Sequence, residues 1–292
     1  MSSFWSLWII VLTIVTLVGV TWLLFANRKT RLNAENEAKT GHVYDGIEEY
    51  DNPLPAWWFN LFVLTLIFTV GYLVFYPGMG NFKGLLKWTS IQQWQEEVDA
   101  AEEKFKPLYQ SLAAKPIPEL AKDKEAMKIG QRLFANSCAT CHGSDAGGAI
   151  GYPNLRDHDW LYGGEPDNIV TSIKGGRNAV MPAWANTLGG KGLEDMASYV
   201  LALSKGEASS EHPAAETFQT MCSVCHGADG SGNIALGAPN LTDDIWLYGG
   251  KPEQILQSLA IGRNGKMPAQ QDILSPEKIH ILSAYVYSLS NE

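Results

Sequence analysis

All four cysteines of the 292-residue chain lie in two short windows, ANSCATCHG (135–143) and QTMCSVCHG (219–227). Each window contains Cys-x-x-Cys-His. Two thiols at that spacing can add to the two vinyl groups of one porphyrin, and the adjoining histidine is then held beneath its iron. The string therefore reads as c-type haem attachment. Cys138 and Cys141 would carry one covalent haem c and Cys222 and Cys225 a second, with His142 and His226 as axial iron ligands. Two rival chemistries fit less well. Structural zinc takes four Cys or His ligands, whereas each window supplies three, and His158 has Asp244 at the corresponding place. A thiol redox switch sits near a strand–helix pattern, but the surroundings here are Gly-rich and loop-like.

A sixth ligand decides what such an iron does. A vacant position admits small ligands; a methionine closes the iron and raises its potential, which suits electron transfer. Of seven methionines, only Met181 and Met267 occupy equivalent places after the two windows, and both precede proline. They are the expected second axial ligands. The repeat suggests that each serves its own domain, with exchange between domains left open. Pro153 and Pro239 follow the histidines and offer carbonyls to orient the rings. Trp160, Tyr162 and Arg177, with their partners Trp246, Tyr248 and Arg263, are expected at the haem edge or as ordinary packing residues.

These residues belong to an internal repeat. PNL (153–155), WLYGG (160–164), GR (176–177) and MPA (181–183) recur at 239–241, 246–250, 262–263 and 267–269. The reading places one domain at 125–204, a linker at 205–215 and a second domain at 216–292. Each repeat is small for an independent core, and a haem would supply the missing apolar volume.

The elements ahead of the repeat are of another kind. Residues 4–26 and 57–76 are uncharged apolar runs with aromatic residues near their ends, long enough to cross a bilayer. They make residues 1–78 a membrane hairpin. Arg28, Lys29, Arg31 and Lys39 lie between the runs, so the loop is expected in the cytoplasm and both termini and the cysteine windows in the periplasm. Residues 79–124 read as a charged helical connector, interrupted by Pro116 and Pro118, that lifts the repeats off the membrane. The net charge of −9 resides in residues 91–292. That argues against nucleic acid as a partner and suits a partner with a basic face.

Both repeats resemble class I cytochrome c domains. The resemblance rests on an opening helix (GQRLF, 130–134; AETFQTM, 215–221), Cys-x-x-Cys-His, Pro-Asn-Leu, Gly-Arg-x-x-x-Met-Pro and a closing helix bearing Tyr199 or Tyr285. Ala214 replaces Gly130 at the close helix contact. GHVYDGIEEYDNPLPAWW (41–58) is similar to the amino-terminal region of the dihaem subunit (CcoP/FixP type) of cbb3-type cytochrome c oxidases. The implied fold is mainly α: a two-helix transmembrane hairpin followed by two tandem class I cytochrome c domains. The implied role is electron transfer in a bacterial inner membrane, from a soluble or membrane-bound donor cytochrome c towards a monohaem cytochrome c subunit and a catalytic haem–copper subunit that reduces oxygen and pumps protons. Glu48, Glu49 and Asp51 either meet that catalytic subunit or are simply solvated. Alternatives are a membrane-tethered dihaem cytochrome serving other periplasmic redox enzymes, and a dihaem enzyme with one open or bis-His iron, which the paired Met-Pro motifs disfavour.

Overall fold

The computed structural model describes residues 1–28, 39–50 and 54–291 and divides into two compact units, Met1–Glu103 and Lys104–Glu292. In the first unit, α1 (Ser3–Ala26) and α2 (Ala56–Phe75) are apolar on nearly every face, yet only Ser6, Leu24 and Phe59 are buried. Helices of this kind need lipid or other protein around them. At 24 and 20 residues they are long enough to cross a membrane. They run antiparallel. Phe25 meets Phe59 edge-on at 5.5 Å, and at the other end the Asn81 N–H donates to Ser6 Oγ at 2.9 Å.

Between them, β1 (Lys39–Tyr44) and β2 (Ile47–Tyr50) form an antiparallel hairpin in the segment expected to be a loop. Asp45 and Gly46 both take positive φ, 52° and 83°, the backbone of a two-residue turn that matches strand twist. Lys29, Arg31 and Asp51, invoked above for orientation and docking, lie outside the described residues.

Helix α3 (Ser90–Ala113) continues through Pro107, and α4 (Ile117–Leu120) follows Pro116. The far end of this connector is core rather than spacer alone. Leu112, Ile117 and Leu120 are buried together with Ala126, Ile281 and Ala284. His280 Nε2–H donates to the Lys115 carbonyl at 2.8 Å.

The second unit continues with α5 (Lys124–Ser137), α6 (Ala139–His142), α7 (Pro166–Gly175), β3 (Arg177–Met181) and α8 (Ala185–Ser204). Then come α9 (Ala215–Thr217), a π-helical turn (Phe218–Cys222), α10 (Ser223–His226), α11 (Pro252–Ile261), β4 (Arg263–Met267) and α12 (Pro276–Leu289). Local signals account for the boundaries. Asp123 caps α5 by accepting from the Glu125 and Ala126 N–H groups at 3.1 and 3.2 Å. Pro166 and Pro252 open α7 and α11, where a missing N–H is harmless.

The helices do not pack repeat by repeat. Helix α5 of the first repeat lies against α12 of the second, as does α7, while α8 of the first repeat lies against α11 of the second. One core joins Phe134, Ile169 and Ile173 to Leu282 and Val286. The other joins Met196, Tyr199 and Val200 to Phe218, Ile255 and Leu259. The chain changes cores along the β3–β4 ribbon, an antiparallel pair with Arg177 opposite Met267 and Met181 opposite Arg263. Gly176 and Gly262 begin the crossing with φ 69° and 73°, and a Cβ at either would overlap the carbonyl of Met267 or Met181.

Candidate functional site

Each Cys-x-x-Cys-His motif sits on a single helical turn, α6 or the π-turn and α10, so that both thiols and the imidazole project from one short segment. None of the four cysteines is paired in a disulfide; Cys138 and Cys222 are half-buried and Cys141 and Cys225 exposed. Burial pushes the Cys138 thiol up to about 11, with Cys141 adding to it, and raises Cys222 in the same way. Among the described residues, no group of three or more His, Cys, Asp or Glu side chains converges as a cage for a bare ion.

The histidines are held as a haem iron would need. His142 Nδ1 lies 3.0 Å from the Pro153 carbonyl and His226 Nδ1 lies 3.1 Å from the Pro239 carbonyl. A carbonyl can only accept, so Nδ1 carries the proton and Nε2 keeps its lone pair for a metal. This orientation by an outer partner is the usual one for ligating histidines. Burial lowers the pKa of His226, against the opposing effect of the Pro239 carbonyl.

The remaining sequence-derived residues form two matched sets. The Arg177 guanidinium stacks 4.4 Å over the Tyr162 ring and donates from Nε to Ser172 Oγ at 2.9 Å. Arg263 repeats this with Tyr248 at 4.4 Å and Ser258 at 2.9 Å. The serines were missed by sequence reasoning, although their equivalent places in TSIKGGR and QSLAIGR make them recognisable. Trp160, Cys138 and Leu155 border one core, and Trp246, Cys222 and Leu241 border the other.

The methionines are placed differently from the same-domain arrangement that the repeat suggests. Met267 packs on the core that contains Phe134 and that Cys138, Ala139 and Trp160 also border. Met181 packs on the core that contains Phe218 and that Cys222 and Trp246 also border. The flanking backbone is fixed in the same sense. The Trp184 N–H donates to the Leu259 carbonyl at 2.9 Å, and the Gln270 N–H donates to the Ile173 carbonyl at 3.1 Å.

A cleft of about 230 Å³ runs between the two motif loops, with Pro153 and Asp159 on one side and Pro239 and Trp246 on the other. The loops also touch directly through the Gly151 N–H and the Leu247 carbonyl at 2.8 Å. Asp159 lies in this cleft, its carboxyl pushed up to about 6 by burial first and then by Asp243 and Asp157.

The chain is similar to known proteins over nearly its whole length. The family described as "Cytochrome C oxidase, cbb3-type, subunit III" matches residues 125–200 and 210–286. The family described as "N-terminal domain of cytochrome oxidase-cbb3, FixP" matches residues 36–83. The cbb3-type cytochrome c oxidase subunit CcoP of Rubrivivax gelatinosus is 44% identical over 293 residues, covering 99% of this chain and 96% of that protein. The subunit FixP of Azorhizobium caulinodans is 39% identical over 276 residues, covering 88% and 94%. CcoP of Cereibacter sphaeroides is 35% identical over 271 residues, covering 86% and 93%.

Proposed function

Because the chain belongs to the subunit III (CcoP/FixP) family of cbb3-type cytochrome c oxidases, we propose that each of its two Cys-x-x-Cys-His motifs holds one haem c, two per chain, with Met181 and Met267 as the sixth ligands. The chain binds haem c and is an electron-transfer subunit of that oxidase, not itself the site of oxygen reduction. When bound, haem c supplies a one-electron iron couple. Cys138, Cys141, Cys222 and Cys225 would form the thioethers, and His142 and His226 would ligate through Nε2. The methionine sulfurs would close the irons against small ligands and raise their potentials.

The observation that carries this reading is the pair of Nδ1–H bonds to Pro153 and Pro239, at 3.0 and 3.1 Å, beside the two cysteine pairs. Both prolines line one cleft, and the Gly151 N–H bond to the Leu247 carbonyl joins the two motif loops beside it. The acidic second half of the chain suits docking of a basic donor cytochrome c. The onward partners are the monohaem and haem–copper subunits. The two apolar helices anchor the chain in the inner membrane. Arg28 at the end of α1 supports a cytoplasmic connecting loop and periplasmic termini and haem domains.

Haem staining of a denaturing gel together with the intact mass tests the reading. Two covalent haems per chain, and co-purification with a haem–copper subunit, are expected. Bare thiols in the mature chain overturn the haem assignment, and isolation of the chain alone after mild extraction overturns the assembly.

A further inference from the structure

The end of the apolar hairpin carries a pocket of its own, apart from the cysteine motifs. After α2 the chain turns back along the helix it has just left. The Leu85 and Leu86 N–H groups donate to the Val74 and Phe75 carbonyls at 2.9 and 3.0 Å, carbonyls that the last helical turn leaves without partners. Gly84 permits this approach: its φ is 72°, and a Cβ there would overlap the Phe75 carbonyl. The same strap reaches α1 through Asn81 and Ser6. It is thereby fixed where α2 leaves the hydrocarbon, at the depth of lipid headgroups.

We propose that the pocket between this strap and the first turns of α3 binds the ammonium headgroup of a membrane phospholipid of the ethanolamine class. The proposal rests on the membrane anchoring of α1 and α2 and not on the haem assignment. The pocket holds about 330 Å³ and is lined by Tyr76, Leu86, Trp88, Gln92, Gln93 and Glu96. The Tyr76 and Trp88 rings stand 6.0 Å apart at 68°, two aromatic walls of the kind that attract a cation. The Trp88 indole N–H donates to Gln93 Oε1 at 3.0 Å, which fixes one wall. Gln92 Nε2 donates to Glu96 Oε1 at 2.9 Å, which orients the carboxylate; its second oxygen can accept from a ligand. Among the described residues no Lys or Arg pairs with Glu96. An ammonium group supplies that cation, with three N–H donors.

The acyl chains have a place as well. Tyr76 stacks on Tyr72 at 5.0 Å and 12°, and Tyr72 lies 6.2 Å from Phe68. These rings are one helical turn apart, so a ladder of them runs from the pocket down α2 into the hydrocarbon, ending at Phe68, which is 71% exposed. A free amine gains nothing from the ladder. Lys83 and Lys87 on the strap suit the phosphate of any phospholipid, so the choice of headgroup falls to Tyr76, Trp88 and Glu96. Phosphatidylglycerol has no ammonium to set against the carboxylate.

The test uses the full chain in its complex, reconstituted into vesicles of equal parts phosphatidylethanolamine and phosphatidylglycerol. Ala100→p-benzoylphenylalanine places a photoreactive group one turn beyond Glu96, and helical side chains lean back over the preceding turn. After irradiation, the mass of tryptic peptide 88–104 identifies the attached lipid. Ethanolamine adducts are expected to exceed glycerol adducts by about five-fold. Glu96→Gln and Trp88→Leu should each bring the ratio close to one, whereas Glu97→Gln, outside the pocket lining, should leave it unchanged. Equal adducts or none in the parent, or a preference that survives either pocket variant, overturn the proposal. Soluble glycerophosphoethanolamine that displaces the lipid adduct and labels the peptide itself assigns the pocket to a free amine and overturns the lipid. Release of the chain from the vesicles by alkaline carbonate overturns instead the anchoring on which the proposal rests.

Discussion

The crossing can be measured as a coupling energy between aromatic rings. Phe134 is 1% exposed and Phe218 fully buried. Phe134 pairs with Tyr285 at 5.6 Å and an interplanar angle of 54°, and Phe218 pairs with Tyr199 at 5.4 Å and 55°. Tilted pairs at such distances contribute about 0.5–1.5 kcal/mol beyond the area they bury. In a double-mutant cycle, Phe134→Leu and Tyr285→Leu should therefore show that much coupling. Phe134 and Tyr199 belong to separate cores, so Phe134→Leu with Tyr199→Leu should be additive within about 0.3–0.5 kcal/mol. A same-repeat arrangement of the helices predicts the reverse. Guanidinium unfolding of the haem-loaded full chain in detergent, followed by the methionine–iron absorption band, supplies the four midpoints of each cycle. Coupling of Phe134 to Tyr199 with none to Tyr285 would refute the crossed packing.

Gly176→Ala and Gly262→Ala should each lower the thermal midpoint. Left-handed backbone costs an L-residue about 1–2 kcal/mol, and the added carbon also meets a methionine carbonyl. Gly175→Ala, where the added carbon meets nothing within 4 Å, should change stability by no more than about 1 kcal/mol. Burial pushes the Asp159 carboxyl up to about 6 in the fold from its ordinary value of 3.8. The folded state therefore binds its proton more tightly, and the Asp159 contribution to stability falls as pH rises between those values. Asp159→Asn should flatten that part of a melting-temperature-against-pH curve, modestly because the carboxyl is only partly buried. Cys222→Ser with Cys225→Ser should remove one haem mass from the chain and about half the haem stain, leaving the tryptic peptide 133–156 loaded.

The chemistry was legible because it is local. A thiol pair and a histidine on one turn declare themselves by spacing, and Pro153 and Pro239 were reachable by reasoning about what orients an imidazole. The two apolar helices were equally plain, since no soluble core could cover them. The hairpin at 39–50 was not seen, although Asp45-Gly46 is a turn signal, because its strands are too short for alternation to stand out from a loop. The crossing was invisible for a deeper reason. Phe134 and Phe218 are equivalent, as are Tyr199 and Tyr285, so crossed and uncrossed cores contain the same residue types in the same contacts. Composition, periodicity and spacing cannot distinguish the two arrangements.

What favours one arrangement is connectivity. In the crossed form α8 and α9 pack in one core, and the segment between them, residues 205–214, joins near neighbours. His212 pins that segment by accepting the Ala214 N–H at Nδ1, 3.2 Å away, and bonding the Ser198 hydroxyl at Nε2, 3.1 Å away. The core around Cys222 is thus continuous in sequence. The core around Cys138 is not: α5 and α12 stand at opposite ends of the repeat region. Closing a loop some tenfold longer is harder by about 2 kcal/mol. The connector opposes this penalty. Leu112, Ile117 and Leu120 bury against Ile281 and Ala284 of α12, and each such side chain contributes about 1.5–3 kcal/mol. His280 adds its bond to Lys115. The discontinuous core is therefore the one reinforced from outside the repeats, and this accounts for a connector that ends packed on α12 rather than merely leading to the repeats.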